Sequence, residues 1–414
     1  MSLTKKIIIA LIVGVFVGLG FNLFAPNLFE PVDTYVLTPL GQIFLNLIMM
    51  VVVPLVFFSI ILGAAGLGDP KTLGRIGGKA LIYFMVTSVI ALSLAIGMAY
   101  LIQPGEPGLM GNLEEDYQAQ EAPPVMDTLL NIIPQNPIEA MASGEMLQII
   151  AFALLVGVAL ARLGDKTKGI VKLVEQGNEI MMFLVGIAMK LAPYGAFGLI
   201  ASAIGKLGLS VIQSMIAYMM TIIIALILHT VITYGGAVWL LGKRNPIQHF
   251  KKYFPVMAVA FSTSSSNATL PTAMKVTEQD LGVSKPVTSF VVPLGATINM
   301  DGTAIMQAVA TVFIAQVFAV SLDFTQLLTI ILTATLASIG TAGVPGVGMI
   351  MLAMVLTSVG LPVEGITLVL AVDRILDMMR TAVNVTGDSA CAVIIDRYER
   401  EREDADLGFD ESKA

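Results

Sequence analysis

The sequence predicts an all-α polytopic membrane protein, and three observations support that fold class. The chain has 414 residues, of which 56% are hydrophobic and 13% charged, with a mean hydropathy of +0.85. Soluble domains have about twice that charged fraction. Several apolar stretches approach or exceed the roughly 20 residues that a helix needs to cross the hydrocarbon core. Lys and Arg also occur in clusters, as expected when loops alternate between the two sides of a membrane.

Six apolar segments in the first 242 residues are long enough, or nearly so, to span a bilayer. They cover residues 7–24, 43–62, 80–101, 147–163, 180–204 and 211–241. No Lys or Arg occurs between Lys79 and Arg162, and that gap includes an acidic, Pro-rich stretch. By the positive-inside rule this stretch lies outside, and both termini of a multi-pass protein of the cell membrane lie in the cytoplasm. The net charge of −7 argues against a nucleic-acid partner.

Two later apolar stretches are interrupted by polar or Gly-rich sequence. The first is broken at residues 262–271, which read STSSSNATLP, and the second at residues 340–348, which read GTAGVPGVG. Such backbone is tolerated at membrane depth only where protein or a cavity surrounds it. We therefore expect two re-entrant helical hairpins, at about residues 247–280 and 325–358. Two ordinary kinked helices are the alternative.

The charge pattern predicts that the two hairpins enter from opposite sides of the membrane. Lys275 lies near the end of the first hairpin and Lys285 follows it, whereas no Lys or Arg occurs between Lys285 and Arg374. Each hairpin precedes a long predicted helix, at residues 287–319 and 361–395. A hairpin and a helix repeated in inverted orientation is typical of secondary transporters, in which the binding site lies near the midplane.

The last predicted helix has a row of polar residues on one face. Asp373, Asp377, Arg380, Asn384 and Asp388 recur at steps of three or four residues. Ionisable residues in a spanning helix normally face a cavity or a partner. The guanidinium fork suits a carboxylate and Asp suits an ammonium group, so an amino acid with an acidic side chain would match both. Mutual neutralisation of Asp377 and Arg380 is the alternative.

A second polar cluster reads NMDGT at residues 299–303. We expect Gly302 to permit local unwinding, which would free carbonyl oxygens as ligands for a hard monovalent cation. Asp301 and Asp388 add negative charge without an obvious protein partner. His229 and His249 are distant from this cluster in the sequence. We expect His229 to be an ordinary helix residue and His249 to be a loop residue.

These motifs resemble the dicarboxylate/amino acid:cation symporter family, which includes the excitatory amino acid transporters and archaeal aspartate transporters. The matching stretches are SSS and TLP within residues 264–271, NMDGT at 299–303, GTAGVPG at 340–346 and DMMRTAVNVTGD at 377–388. The resemblance implies a homotrimer of protomers with eight spanning helices and two hairpins, working as elevators. Residues 1–70 and 125–208 would form the scaffold and trimer contacts, residues 71–124 and 209–399 the transport domain, and residues 400–414 a cytoplasmic tail.

The resemblance also implies the residues of the site. The substrate ligands would be Ser264, Ser265, Ser266, Thr303, Gly343, Val344, Asp377, Arg380, Thr381 and Asn384. The sodium ligands would be Thr87, Ser88, Gly295, Thr297, Asn299, Asp301, Ser338, Ile339, Thr341, Asn384 and Asp388. The gate at the tip of the second hairpin would include Gly340, Gly343, Pro345 and Gly346.

Three features depart from the family pattern, and one of them is Phe84, which replaces a tyrosine near one of the implied sodium positions. Gln307 stands where the animal glutamate carriers have a glutamate linked to proton transport, which argues against proton co-transport. Ser264 and Met378 stand where archaeal and animal relatives, respectively, have an arginine, and Arg374 is the candidate substitute.

The sequence therefore predicts a symporter, not an enzyme, that takes up aspartate or glutamate with sodium ions and needs no organic cofactor. A neutral amino acid or dicarboxylate symporter of the same family, with or without proton coupling, is the first alternative. An intramembrane aspartyl protease using Asp301 and Asp388 is disfavoured, because Arg380 and Asn384 share the face of Asp388. A channel would differ from a symporter in being unable to accumulate solute.

Overall fold

The structure is a computed structural model that describes residues 3–65, 73–107, 133–207, 210–338 and 346–411. Within these ranges the chain is helical and contains no β-strand. Helices are the expected solution for an apolar chain in lipid, because every backbone polar group must find its partner within the segment itself.

The first half of the described chain contains seven α-helices. They are α1 (Leu3–Phe24), α2 (Pro26–Val32), α3 (Thr38–Ala65), α4 (Leu73–Ile102), α5 (Pro137–Ser143), α6 (Met146–Leu163) and α7 (Lys168–Leu207). A π-helical turn, Asp33–Leu37, joins α2 to α3, and a 3₁₀ turn, Gly164–Thr167, joins α6 to α7. Helix α7 packs against α1 and α3, and α3 also packs against α6.

The second half contains nine described α-helices. They are α8 (Ser210–Leu228), α9 (Gly235–Leu240), α10 (Pro246–Thr263), α11 (Ser266–Gln279), α12 (Lys285–Ile298), α13 (Asp301–Val317), α14 (Phe324–Ser338), α15 (Val347–Ser358) and α16 (Ile366–Glu411). A π-helical turn, His229–Tyr234, joins α8 to α9. Helix α16 packs against α8, α10, α12 and α13, and α13 also packs against α4.

Four helical stretches of the described chain are long and apolar enough to cross a membrane. They are Ile76–Ile102, Gln148–Ala188, Gln213–Leu240 and Lys285–Val317. The last differs from the others because its most apolar window is completely buried inside the protein. A helix that is enclosed on all sides in this way belongs to the core of the bundle rather than to its lipid-facing surface.

Two pairs of shorter helices lie where the sequence is interrupted. Helices α10 and α11 pack on each other across a turn at Ser264 and Ser265, and Ser264 adopts a left-handed conformation with φ of 51°. Asn245 caps the start of α10 by accepting from the backbone N–H groups of Ile247 and Gln248. Helices α14 and α15 pack on each other on the two sides of residues 339–345, which lie outside the described residues.

One expectation about local structure holds in part and two are wrong. The polar cluster at residues 299–303 is unwound, as expected, but only at Asn299 and Met300, whereas Gly302 lies inside α13. The last helix begins at Ile366 and runs to Glu411, well past the expected end at residue 395. His249 is not a loop residue, because it is buried in α10 and its Nε2 lies 3.0 Å from Ser389 Oγ.

Gly302 instead allows α13 and α16 to approach each other closely. A methyl group on its Cα would lie 2.6 Å from the carbonyl oxygen of Arg380 and 3.0 Å from Asn384 Oδ1. Both distances are too short for a carbon atom to be accommodated without movement. The absence of a side chain at this position therefore determines how close the two polar helices lie.

We predict that Gly302→Ala destabilises the protein by about 1–3 kcal/mol, because the added methyl group must separate α13 from α16. Gly97→Ala in α4 is the matched control, since a methyl group there meets no atom within 4 Å. Thermal unfolding of the purified variants in detergent checks the difference. Equal melting temperatures for the two variants would contradict the proposed close approach.

Candidate substrate and cation site

The polar face of α16 is buried between neighbouring helices. Asp373 and Asp377 are each 8% exposed, Asn384 is 3% exposed, and Arg380 and Asp388 are at most 1% exposed. The helical repeat brings these residues to one side, and the packing of α8, α10, α12 and α13 against that helix encloses them.

Arg380 is held by two carboxylates of its own helix. Its Nη1 donates to Asp373 Oδ1 at 2.8 Å, and its Nη2 donates to Asp377 Oδ1 at 2.9 Å. Arg374 Nη1 lies 3.4 Å from Asp377 Oδ2. Asp377 and Arg380 therefore form an ion pair, which is the mutual neutralisation that the sequence left open as an alternative. Arg380 Nε has no hydrogen-bond partner among the described residues, so its N–H remains for a further acceptor.

Asn384 connects α16 to the start of α13. Its Oδ1 accepts from the backbone N–H of Gly302 at 2.7 Å, and its Nδ2 lies 3.4 Å from Thr303 Oγ1 and 3.3 Å from Met300 Sδ. Thr381 donates instead to the carbonyl oxygen of Asp377, one turn earlier in its own helix. The structure therefore brings Thr303 and Asn384 together, as two of the predicted substrate ligands.

Asn299 bridges α16 at the next turn. Its Nδ2 donates to the carbonyl oxygen of Asn384 at 2.7 Å and to Asp388 Oδ1 at 2.9 Å. Its Oδ1 is buried without a hydrogen-bond partner among the described residues. A buried acceptor of this kind is costly unless it meets a donor or a cation, so the unpaired oxygen fits a cation ligand.

Asp301 is completely buried and has three hydrogen-bond partners. Ser88 donates to its Oδ1 at 2.5 Å, Tyr234 donates to its Oδ2 at 2.8 Å, and His229 Nε2 lies 3.1 Å from the same Oδ2. The expectation that Asp301 lacks protein partners is therefore wrong. The expectation that His229 is an ordinary helix residue distant from the site is wrong as well.

The serine turn between α10 and α11 is buried at all three positions. Ser265 accepts from the backbone N–H of Ala268 at 3.2 Å and caps α11, which begins at Ser266. The hydroxyl of Ser264 is buried without a partner among the described residues. This tip of the helix pair therefore offers a free hydroxyl and a helix N-terminus, both of which suit a carboxylate.

The other predicted ligands make local hydrogen bonds or cannot be placed. The hydroxyl groups of Thr87, Thr297 and Ser338 donate to carbonyl oxygens three residues earlier, and the carbonyl oxygen of Gly295 accepts from the N–H of Asn299. Gly346 precedes α15 with a φ of +88°. The remaining predicted residues lie outside the described residues: Ile339, Gly340, Thr341, Gly343, Val344 and Pro345.

Two residues of the buried cluster, His229 and Tyr234, are not predicted from the sequence. Asp373 is predicted on the polar face and Met300 lies within the NMDGT motif, but neither has a predicted role. His229 could have been found, because an ionisable side chain inside an apolar spanning segment is by default a functional candidate. Nothing in the sequence points to Tyr234.

The charges of the cluster divide it into two parts. Asp373 and Asp377 are matched by Arg374 and Arg380, so this part is electrically balanced. Asp301 and Asp388 have hydrogen bonds from Ser88, Tyr234 and Asn299, His229 Nε2 lies 3.1 Å from Asp301 Oδ2, and neither carboxylate pairs with a described lysine or arginine. Uncompensated buried charge costs several kcal/mol, so this second part is suited to hold cations.

Comparison with known proteins is consistent with that chemistry. The family model for the sodium:dicarboxylate symporter family matches residues 3–398. A proton/sodium-glutamate symport protein of Geobacillus stearothermophilus is 36% identical over 406 residues, covering 96% of this chain and 94% of the relative. A C4-dicarboxylate transport protein of Bacillus subtilis (strain 168) is 35% identical, covering 100% of this chain and 96% of the relative. A proton/glutamate-aspartate symporter of Escherichia coli (strain K12) is 34% identical, covering 100% and 95%.

The match extends over nearly the whole chain, and the relatives are transporters rather than enzymes. The family match and the apolar helices together indicate that this chain is a multi-pass membrane protein whose transport is coupled to a cation. The chain belongs to the sodium:dicarboxylate symporter family.

Proposed function

We propose that this protein is a secondary active symporter that takes up aspartate or glutamate together with sodium ions. The observation that supports this most directly is the division of the buried cluster into a balanced arginine–carboxylate part and a part with two carboxylates that no described lysine or arginine matches. The first part suits a zwitterion with an acidic side chain, and the second suits the co-transported cations.

In the proposed substrate site, Arg380 binds the side-chain carboxylate and Asp377 the amine. Ser266 and Asn384 bind the α-carboxylate, while Ser264, Ser265, Thr303 and Thr381 complete the site with Gly343 and Val344. The unpaired Nε of Arg380 and the unpaired hydroxyl of Ser264 support this assignment, because both offer donors to an acceptor that the described residues lack. The names of two relatives, which mention glutamate and glutamate-aspartate, support the same substrate class.

The cation is proposed to be sodium, held by oxygen ligands. In one region, sodium would be bound by Asp388 together with Gly295, Thr297, Asn299, Asn384, Ser338, Ile339 and Thr341. In another region, sodium would be bound by Asp301 together with Thr87, Ser88 and Asn299. Carboxylate, amide and carbonyl oxygens are the donors that hard cations prefer. The unpaired Oδ1 of Asn299 supports this assignment. Each sodium ion entering down ~100 mV contributes about 2.3 kcal/mol, so a few ions can concentrate an anionic amino acid steeply.

The proposed mechanism is an elevator in a homotrimer with eight spanning helices, two opposed re-entrant hairpins and both termini in the cytoplasm. Residues 1–70 and 125–208 are proposed as the static scaffold, and residues 71–124 and 209–399 as the moving domain. The packing of α7 against α1 and α3, and the packing of α8, α10, α12 and α13 around α16, support this division. Gly340, Gly343, Pro345 and Gly346 are proposed as the gate, and Gly346 has a left-handed backbone where α15 begins.

A dicarboxylate symporter is the second candidate. Asp377 is engaged by both Arg374 and Arg380, which leaves its charge less available for a substrate amine. One relative is named as a C4-dicarboxylate transport protein. Competition of succinate against labelled aspartate in uptake by proteoliposomes distinguishes the two candidates, since a dicarboxylate carrier would prefer succinate.

We predict that Arg380→Cys lowers uptake of acidic amino acids by at least ~100-fold and admits neutral amino acids. The side-chain carboxylate loses its charge partner, and disrupting a buried pair costs about 3–5 kcal/mol. Asp373→Asn is the matched control, because it removes one partner of Arg380 but keeps the guanidinium. It should remain selective for acidic substrates. Unchanged aspartate uptake in Arg380→Cys would refute the assigned role.

We predict that sodium raises the affinity for aspartate by more than tenfold, because linkage requires coupled ligands to strengthen each other's binding. Calorimetric titration of the purified protein in sodium, potassium and choline buffers checks this. Asp388→Asn should reduce the sodium dependence, since it removes one of the two unmatched charges. Equal aspartate affinity in all three buffers would exclude sodium coupling.

We predict that a pH gradient alone does not drive uptake, because the buried position of Gln307 in α13 carries no titratable group. Proteoliposomes with an imposed proton gradient and no sodium test this directly. Gln307→Glu is the informative companion, since it places a carboxyl one turn after Thr303. Concentrative uptake by the unmodified protein under the proton gradient would show that another group couples protons.

A further inference from the structure

The π-helical turn His229–Tyr234 has both of its end residues on one carboxylate. His229 Nε2 lies 3.1 Å from Asp301 Oδ2, and the hydroxyl of Tyr234 donates to the same oxygen at 2.8 Å. The two rings also pack edge to face, with centroids 4.6 Å apart. All three side chains are fully buried.

The unusual helical turn is what allows this arrangement. In an α-helix two residues five positions apart are rotated by about 140° from each other, so they point in different directions. In a π-helix, with roughly 4.4 residues per turn, the same two residues differ by only about 50°. The π-helical turn therefore aims His229 and Tyr234 at the same atom, which an uninterrupted α-helix would not do.

The hydrogen bonds leave Asp301 with room for one more ligand. A carboxylate has about four acceptor positions, and Oδ2 uses two of them for His229 and Tyr234. Ser88 uses one position on Oδ1, at 2.5 Å, so the remaining acceptor position is also on Oδ1. The free acceptor position therefore lies on Oδ1, the oxygen to which Ser88 donates. The π-helical turn makes no hydrogen bond to that oxygen.

Helix α16 has a glycine, Gly387, where it packs against this turn. At Gly387 an added methyl group would collide with the ring and hydroxyl of Tyr234 and with the side-chain nitrogen of Asn299. A side chain at Gly387 would thus displace one donor of Asp301 together with the residue that bridges to Asp388. The close approach of three helices at this point supports a constrained geometry rather than loose packing.

We propose that His229 and Tyr234 are positioning residues, which hold Asp301 through Oδ2 so that Oδ1 is oriented as a ligand for the co-transported cation. This inference rests on the proposed function in assigning a cation to Asp301. Donors on one side of a ligating carboxylate fix its orientation, and the loss of such outer partners typically weakens metal binding by roughly 10- to 100-fold. The substrate site around Arg380 has no hydrogen bond to either residue among those described.

The test measures cation binding without substrate. Thermal stabilisation of the purified protein is titrated with sodium, lithium and potassium chloride, in the unmodified protein, His229→Leu, His229→Gln and Tyr234→Phe. His229→Gln retains an N–H donor at about the reach of Nε2. Thr230→Val is the matched control, because Thr230 lies in the same turn but its hydroxyl donates to the carbonyl oxygen of Leu226.

We expect His229→Leu and Tyr234→Phe to raise the half-saturating cation concentration by roughly 10- to 100-fold. His229→Gln should recover most of that loss, and Thr230→Val should match the unmodified protein. Aspartate affinity at saturating sodium should change less than threefold, which separates a positioning role from general damage to the fold.

Three outcomes would overturn the inference. A normal cation response in both His229→Leu and Tyr234→Phe would remove the positioning role and leave the proposed function intact. A shift in Thr230→Val as large as theirs would show that packing, and not donation to Asp301, is responsible. No stabilisation of the unmodified protein by any of the cations would overturn the inference together with the proposed sodium site.

Discussion

The structure around α16 depends on how buried charge is matched inside a membrane protein. A charge there has no water to stabilise it and must find a counter-charge, donors or a bound ion. Asp373 and Asp377 meet Arg380 and Arg374, and the pairs lie within 2.8–3.4 Å. Asp301 and Asp388 have hydrogen bonds instead, and no described lysine or arginine matches them. The proposed cation sites and the proposed substrate site therefore lie in the same helix bundle.

The two parts are physically connected through two asparagines. Asn384 accepts from the start of α13 through Gly302, and Asn299 returns two hydrogen bonds to α16, at the carbonyl of Asn384 and at Asp388. In the proposed sites, a cation bound to Asn299 or Asp388 would therefore act on the backbone of Asn384, which is a proposed substrate ligand. Short, direct hydrogen bonds of this kind give a structural basis for the reciprocal coupling that a symporter requires. The glycine at 302 is what keeps the two helices close enough for these bonds to form.

Much of the fold and part of the site could be predicted from local patterns. The interruption by serine residues anticipated two helices on the two sides of residue 264, and α10 and α11 end and begin within a residue or two of it. The steps of three and four between Asp373 and Asp388 anticipated one buried face, because a helical repeat alone determines it. The partners of Asp301 could not be predicted. His229 is 72 positions away, and a π-helical turn does not follow from residue composition.

The sequence by itself determined that this is a helical membrane protein of a recognisable transporter family, with ionisable residues along one face of its last helix. Hydrophobicity, charge sorting and helical period act over short distances, so they can be read without coordinates. Only the tertiary structure decided which of those charges neutralise each other and which remain unmatched. That outcome depends on the packing of α4, the His229–Tyr234 turn and α13 against α16, which brings distant residues within hydrogen-bonding distance. The division between a balanced arginine site and two carboxylates without counter-charge is therefore a property of helix packing.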